Sequence, residues 1–575
     1  MEKQALEKAT WWTNNKIFDA ASRKEIQDLI DSGDTKEITE RFYKDLEFGT
    51  GGIRSILGAG LNRINIYTIR KASQAIADEI LADHKKSSPA KIAISYDSRI
   101  MSFELAKEAA TVYAANGIHA YIYKRLNPVP LLSFSVRHHN ANAGVMVTAS
   151  HNPPAYNGYK VFWNDGAQVT PPNDESIINR YQSLSDFAAL KHMDFDKAVA
   201  DGLIHWVGED VEQAYHDAIF KAAINPKLCL EHGSDLKIVY TPIHGSALIP
   251  CSEALAKLGF SNVSVVESQA KPDGKFPTVK SPNPENPEAL ALAVEQMKRT
   301  GADIVMGSDP DGDRLGMAFI ENGEVVYLNG NQIGTLMLHY ILNNLSEQKR
   351  MPSNPYFVKT IVTTPLQENI AKAFNVECEN TLTGFKWICG RMNEIERTQK
   401  ERNFLFATEE SFGYLNHQNV RDKDGVSSVT LMSEIALWYK RQNLSLVAGL
   451  DEIYKEYGFS YEHLLSLDYF GKEGADKIKR IMESFRSLNG EIDGRKAIKV
   501  EDYQKGMKGF PISNVLGYHF EDGDRLYLRP SGTEPKIKFY IMVQEKNGSL
   551  AEKKSKAKSK TESFLKFINA KAEQA

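Results

Sequence analysis

The chain has 575 residues, of which 42% are hydrophobic and 25% charged, and a formal net charge of −4. That is the composition of a globular chain with several cores, and a balance so near neutral gives no support for nucleic acid or an anionic membrane as the main partner. Its four cysteines, Cys229, Cys251, Cys378 and Cys389, form no C-x-x-C pair, which argues against structural zinc and for reduced thiols in the cytoplasm.

In chain order, residues 1–14 mix charges with Trp11 and Trp12 and lack the apolar run of a signal peptide. No window reaches the about 18 consecutive apolar residues of a membrane span. The expectation is a cytoplasmic protein without a membrane or nucleic-acid partner, a monomer or at most a dimer. Short apolar, β-branched runs then recur at 91–95 (KIAIS), 144–148 (GVMVT), 237–241 (KIVYT), 262–266 (NVSVV), 303–307 (DIVMG), 358–362 (VKTIV) and 404–408 (FLFAT). They read as buried strands, with helical periodicity between them, as at 252–258 and 287–299. Such alternation predicts α/β architecture with largely parallel sheets.

The C-terminal part reads differently. Residues 524–529 and 537–543 form a strand–loop–strand unit of a smaller α+β domain. The lysines at 553, 554, 556, 558 and 560 read as a solvated helix face that Phe564, Leu565 and Ile568 dock. The predicted domains are 1–205, 206–324 and 325–450, all α/β, and 451–575, α+β.

Four loops carry chemistry. Thr148–Pro154 (TASHNPP) follows a predicted strand, where α/β sheets bind ligands. Its prolines stiffen the loop around Ser150, a hydroxyl able to carry a phosphoryl group if a base and a cation are near. Asp309, Asp311 and Asp313 alternate in GSDPDGDR, also straight after a strand. Carboxylates packed so closely need a cation, and hard oxygen ligands suit Mg²⁺ or Ca²⁺. An EF-hand is excluded, because Arg314 stands at its sixth position and Ile320 at its twelfth. Few protein ligands leave room for water and a phosphate oxygen, the habit of Mg²⁺.

The third loop, Thr408–Gly413 (TEESFG), offers acidic and hydroxyl groups suited to sugar hydroxyls, although Glu is also favourable at any helix N-terminus. The fourth, Arg529–Lys536 (RPSGTEPK), joins a planar guanidinium to hydroxyls and a glycine-freed backbone, as a phosphate site requires. Thr50–Arg54 (TGGIR) is glycine-rich without being a dinucleotide fingerprint, and no Walker-A pattern occurs. Tyr96–Arg99 (YDSR) ends another strand and supplies a further arginine, with an ordinary surface ion pair as the alternative.

Taken together with FGTGGIR, TGFKWI and RDKDGVSS, these loops resemble the α-D-phosphohexomutase family, in the family's order from about residue 48 to about 540. The chain is most similar to the longer phosphoglucomutase branch. The resemblance implies four domains around a central cleft, one loop from each. It implies Ser150 as the phosphoserine, and Mg²⁺ held by Ser150, Asp309, Asp311 and Asp313. Glu409 and Ser411 would read sugar hydroxyls. Arg529, Ser531, Gly532 and Thr533 would grip the non-reacting phosphate. Arg54, His151, Lys160, Arg314, Lys386 and Lys423 would line the reaction centre.

The implied reaction interconverts glucose 1-phosphate and glucose 6-phosphate through glucose 1,6-bisphosphate. The proton acceptor stays open between Lys160, His151 and Lys423; burial among cations would lower a lysine's pKa enough for that role. Phosphomannomutase and phosphopentomutase would share every residue named. A catalytically silent scaffold is the alternative of another class.

Overall fold

The strand Ala143–Val147 (AGVMV) is buried at all five positions, as a strand covered by helices on both faces must be. It lies in a six-stranded sheet ordered Gly52–Ile56, Tyr156–Trp163, Ala143–Val147, Lys91–Tyr96, His119–Tyr123, Ile204–Val207. The last four strands run parallel, and the first two are antiparallel to their neighbours. The computed structural model describes residues 2–49, 51–83, 89–469, 471–531 and 536–575.

A second sheet is ordered Glu324–Leu328, Gly316–Glu321, Ile304–Gly307, Ile238–Thr241, Val263–Val265. It too pairs parallel strands with an antiparallel edge. The expectation of largely parallel sheets therefore holds for the strand-and-helix core and fails at one edge of each sheet. That failure has a functional consequence. Thr148–Ala155 connects the parallel strand Ala143–Val147 to the antiparallel Tyr156–Trp163, and Ser308–Leu315 connects Ile304–Gly307 to Gly316–Glu321. Both chemistry-bearing loops thus sit where a buried core strand reverses.

These two sheets belong to one of two compact units, which comprises Met1–Asn329, Phe385–Lys400 and Ser411–Trp438. In front of the first sheet, helices Glu2–Asn14, Ala20–Asp31 and Thr35–Phe42 build a cluster of their own. In it Trp12 stacks on Phe18 with ring centres 3.6 Å apart. Asp19 and Asp34 accept N–H bonds at the starts of the second and third of these helices, satisfying donors a helix leaves open.

The other unit comprises Gly330–Gly384, Glu401–Glu410 and Tyr439–Ala575. In it Pro355–Thr360 pairs in parallel with Glu377–Thr381 and with Asn403–Glu409. An antiparallel sheet follows, ordered Phe459–Asp468, Lys536–Glu545, Arg525–Pro530, Leu516–His519, Lys499–Asp502. The helix Leu550–Gln574 opens with a capping box, Ser549 and Glu552, and buries Phe564 and Ile568. Its lysines are not uniformly solvated: Lys553 is buried, and Lys560 bonds Asp522 at 2.8 Å and Glu545 at 2.7 Å. Among the described residues no helix is long and apolar enough to cross a membrane.

Candidate active site

The Ser150 loop is tied down by its own backbone. The N–H of Ser150 donates to Thr148 Oγ1 at 2.8 Å, and that hydroxyl donates to Asp97 Oδ2 at 2.6 Å. Ser150 adopts φ of 52°, a left-handed conformation a non-glycine residue holds only where its surroundings enforce it. Its hydroxyl is buried, donates to Asp309 Oδ2 at 3.1 Å, and lies 3.2 Å from His151 Nδ1.

Asp309, Asp311 and Asp313 are all buried, and one carboxylate oxygen from each lies within 4.8 Å of the others. Asp309 Oδ1 accepts the N–H groups of Asp313 at 3.1 Å and Arg314 at 3.0 Å. Lys160 Nζ lies 2.7 Å from Asp311 Oδ2 and 3.3 Å from Asp313 Oδ2, and Lys423 Nζ lies 3.2 Å from Asp313 Oδ2. Oδ1 of Asp311 and Oδ1 of Asp313 are buried without a hydrogen-bond partner among the described residues. Two orphaned, buried carboxylate oxygens in one cluster fit a hard divalent cation.

Electrostatics divides the group. Burial, then Asp313 and Asp311, push the Asp309 carboxyl well up. Burial would also raise Asp311, but Lys160 outweighs it and holds that carboxyl down. Lys160 in turn is raised: burial opposes its charge, and Asp311 and Asp313 more than restore it. The expectation of a lysine pKa lowered by burial among cations therefore fails at Lys160, because its nearest neighbours are carboxylates. His151 is pushed well below its ordinary value by burial, then by Arg314 and Arg54. Lys386, half-buried, moves down through burial, with Asp174 opposing.

Of the residues singled out from sequence, the first unit brings together Ser150, His151, Lys160, Asp309, Asp311, Asp313 and Lys423. Arg54 Nη1 reaches Asn152 Oδ1 at 3.1 Å, and Arg314 pairs with Glu285 beside the carboxylates. Lys386 and Ser411 also lie in this unit. The second unit holds Glu409, buried at the end of its strand, and Arg529, which donates to Thr383 Oγ1. Ser531 N–H there donates to the Lys536 carbonyl at 2.8 Å. Gly532 and Thr533 lie outside the described residues.

Sequence analysis named Arg99 only as a further arginine, with a surface ion pair as the alternative, and its role went unread. Its side chain is fully buried, 3.6 Å from Asp97, and donates to the Ser150 carbonyl from Nε at 3.2 Å and from Nη2 at 2.6 Å. The available signal was its place at the carboxyl end of Lys91–Tyr96, shared with the Ser150 loop's own strand.

A buried serine hydroxyl against a buried carboxylate cluster, on doubly wound sheets, is the arrangement that the phosphoryl-transfer class of enzymes requires. The family comparison agrees with that class. Four models of "Phosphoglucomutase/phosphomannomutase" match in order, alpha/beta/alpha domains I to III at residues 45–187, 213–323 and 329–457 and the C-terminal domain at 476–552. A phosphoglucomutase of Staphylococcus saprophyticus is 34% identical over 540 residues, covering 91% of this chain and 95% of that protein. The structure of parafusin, a phosphoglucomutase from Paramecium, aligns with a TM-score of 0.70 at 17% identity, over 92% of this chain and 96% of that one. That of an Aspergillus fumigatus N-acetylphosphoglucosamine mutase, in complex with GlcNAc-6P and magnesium, aligns at 0.50 and 14% identity, over 96% and 99%. The chain belongs to the phosphoglucomutase/phosphomannomutase family and is an enzyme of the mutase class.

Proposed function

We propose that the chain interconverts glucose 1-phosphate and glucose 6-phosphate with Ser150 as the phosphoryl carrier. The observation that carries the reading is the 3.1 Å contact of Ser150 Oγ with Asp309 inside a buried cluster of three aspartates. The S. saprophyticus relative, named a phosphoglucomutase, supports glucose as the sugar.

In this reading Asp309, Asp311 and Asp313, with Ser150, would hold Mg²⁺, whose charge would offset that of the transferring phosphoryl group. The donor set supports the ion, all hard oxygens with two of them orphaned, and so does the magnesium of the Aspergillus mutase. A sugar hydroxyl attacks the phosphorus; its bond to that oxygen forms as the bond to Ser150 Oγ breaks. The product is glucose 1,6-bisphosphate, and the reverse step at its other end returns phosphate to Ser150. His151, held neutral by burial with Nδ1 3.2 Å from Ser150 Oγ, takes the proton of the attacking sugar hydroxyl and passes it to Ser150 Oγ as that oxygen leaves; the reverse step runs the same relay backwards. Lys160, held charged by Asp311 and Asp313, and Arg314 and Lys423 stabilise the transferring charge. Arg54, bonded to Asn152, keeps the loop at the reacting phosphate.

We assign the sugar hydroxyls to Glu409, Ser411 and Lys386, and the non-reacting phosphate to Arg529, Ser531, Gly532 and Thr533. The four cysteines are free thiols, which supports a cytoplasmic enzyme, and we take it to act as a monomer.

The test is conversion of glucose 1-phosphate to glucose 6-phosphate with Mg²⁺ and trace bisphosphate, beside mannose 1-phosphate and ribose 1-phosphate. Preference for glucose in kcat/KM supports the reading. Preference for another sugar moves the substrate, and inactivity on all three favours a silent scaffold.

A further inference from the structure

Arg99 uses all five of its N–H donors on one loop. Nε and Nη2 donate to the Ser150 carbonyl, Nη2 also to Asn152, and Nη1 to Pro153 at 3.0 Å and Tyr156 at 2.8 Å. Four carbonyls between residues 150 and 156 thus converge on one planar fork, and the first belongs to the serine held at φ of 52°.

The opposite side of that fork is closed by the second sheet's domain. The Phe276 ring centre lies 5.0 Å from Arg99 Cζ, and Phe276 is itself buried and left-handed, with φ of 47°. Two residues earlier, Gly274 runs so near that a Cβ would stand 2.8 Å from the Arg99 carbonyl carbon. The segment 271–278 is held at both ends by one imidazole: His244 Nδ1 lies 3.1 Å from the Lys271 carbonyl, and Nε2 lies 2.9 Å from Thr278 Oγ1. Ser246, two residues on, donates to the Pro310 carbonyl through N–H at 2.9 Å and Oγ at 2.8 Å. One loop therefore braces both the Asp309–Asp313 turn and the lid over Arg99.

We propose that Arg99 and Phe276 are positioning residues for the mutase reaction: Arg99 fixes the backbone that aims Ser150 Oγ at Asp309, and Phe276 fixes Arg99. This rests on the reading of Ser150 as phosphoryl carrier. Neither side chain touches the reacting atoms; the pair sets the register between the serine loop and the aspartate loop. A lysine at 99 keeps the charge but cannot span four carbonyls from one point.

The experiment compares wild type, Arg99→Lys and Phe276→Leu in four readouts: melting temperature, kcat, KM for glucose 1-phosphate, and amide hydrogen exchange. Arg99→Lys should lower kcat about a hundredfold and Phe276→Leu about tenfold, each with KM within about twofold, because a small misplacement of a reacting group costs rate rather than binding. Exchange should rise at residues 149–157 and stay at the wild-type level elsewhere. The proposal is overturned if either folded variant keeps kcat within about twofold of wild type, or if exchange rises evenly through the chain. Should Arg99→Lys not fold, Phe276→Leu decides alone. A wild-type enzyme that neither turns over nor carries phosphate would sink the functional reading, while the exchange pattern would still decide the clamp.

Discussion

Gly425 lies so near Gly312 that a Cβ on it would stand 2.5 Å from the Gly312 carbonyl oxygen and 3.1 Å from that of Arg314. It opens the helix Gly425–Arg441, two residues after Lys423, and only a residue without a side chain lets that helix start against the aspartate turn. Gly425→Ala must push two backbones apart, and the shift of the helix start draws Lys423, two residues before it, away from Asp313. We expect a folded protein with kcat lowered about tenfold or more, read by steady-state kinetics beside circular dichroism.

Lys160 offsets two buried carboxylates, so its removal should expose the cost of their charge. Lys160→Gln is expected to lose about 3 kcal/mol without added metal, the scale for breaking a buried ion pair. Mg²⁺ should restore more stability to the variant than to wild type, since a ligand that binds only the folded state stabilises it. Thermal unfolding with and without Mg²⁺ measures both; an equal metal response in the two proteins would contradict the account.

The aspartates themselves predict the metal dependence. Chelation with EDTA should abolish turnover and Mg²⁺ restore it. Asp311→Asn should weaken Mg²⁺ binding in calorimetry by about a hundredfold, the upper scale even for outer ligand partners. Unchanged binding in that variant would place the cation elsewhere.

In the second unit, Glu368 binds Arg525 through two bonds of 2.9 and 2.6 Å and Lys359 at 2.9 Å. Burial would raise its carboxyl, but Lys359 and Arg525 outweigh burial and hold it well below its ordinary 4.5. A depressed carboxyl contributes stability that is complete above pH 4.5 and drains away as pH falls below it toward the folded value. Glu368→Gln should therefore cost about 3 kcal/mol at neutral pH and flatten the loss seen in wild type below pH 4.5. Urea unfolding of the second unit across pH 3–7 reads both effects.

Much of this architecture was legible because buried strands are short, apolar and β-branched. All seven predicted runs overlap observed strands, although 358–362 began three residues after the start of Pro355–Thr360 and ran two past its end. Tyr156–Trp163 escaped notice because Asn157, Gly158 and Lys160 break up its apolar residues. The N-terminal helices escaped because their apolar residues are sparse along each helix and form a core only when Trp12, Phe18, Ile26, Ile38 and Phe42 come together. At the site, sequence adjacency revealed the three aspartates, but not that Lys160 would rest on them, a partnership made between two sheets. Arg99 was visible as an arginine, but not its role: its acceptors are backbone carbonyls, which leave no trace in side-chain identity.

The central claim is that Ser150 carries the phosphoryl group. The most direct measurement is phosphopeptide mapping of enzyme treated with glucose 1,6-bisphosphate, before and after a chase with glucose 1-phosphate or glucose 6-phosphate, for wild type and Ser150→Ala. The account predicts one phosphate on the peptide containing Ser150, its discharge by either sugar phosphate, and neither phosphate nor turnover in Ser150→Ala. Turnover that survives in Ser150→Ala, or a dischargeable phosphate on another residue, would contradict it.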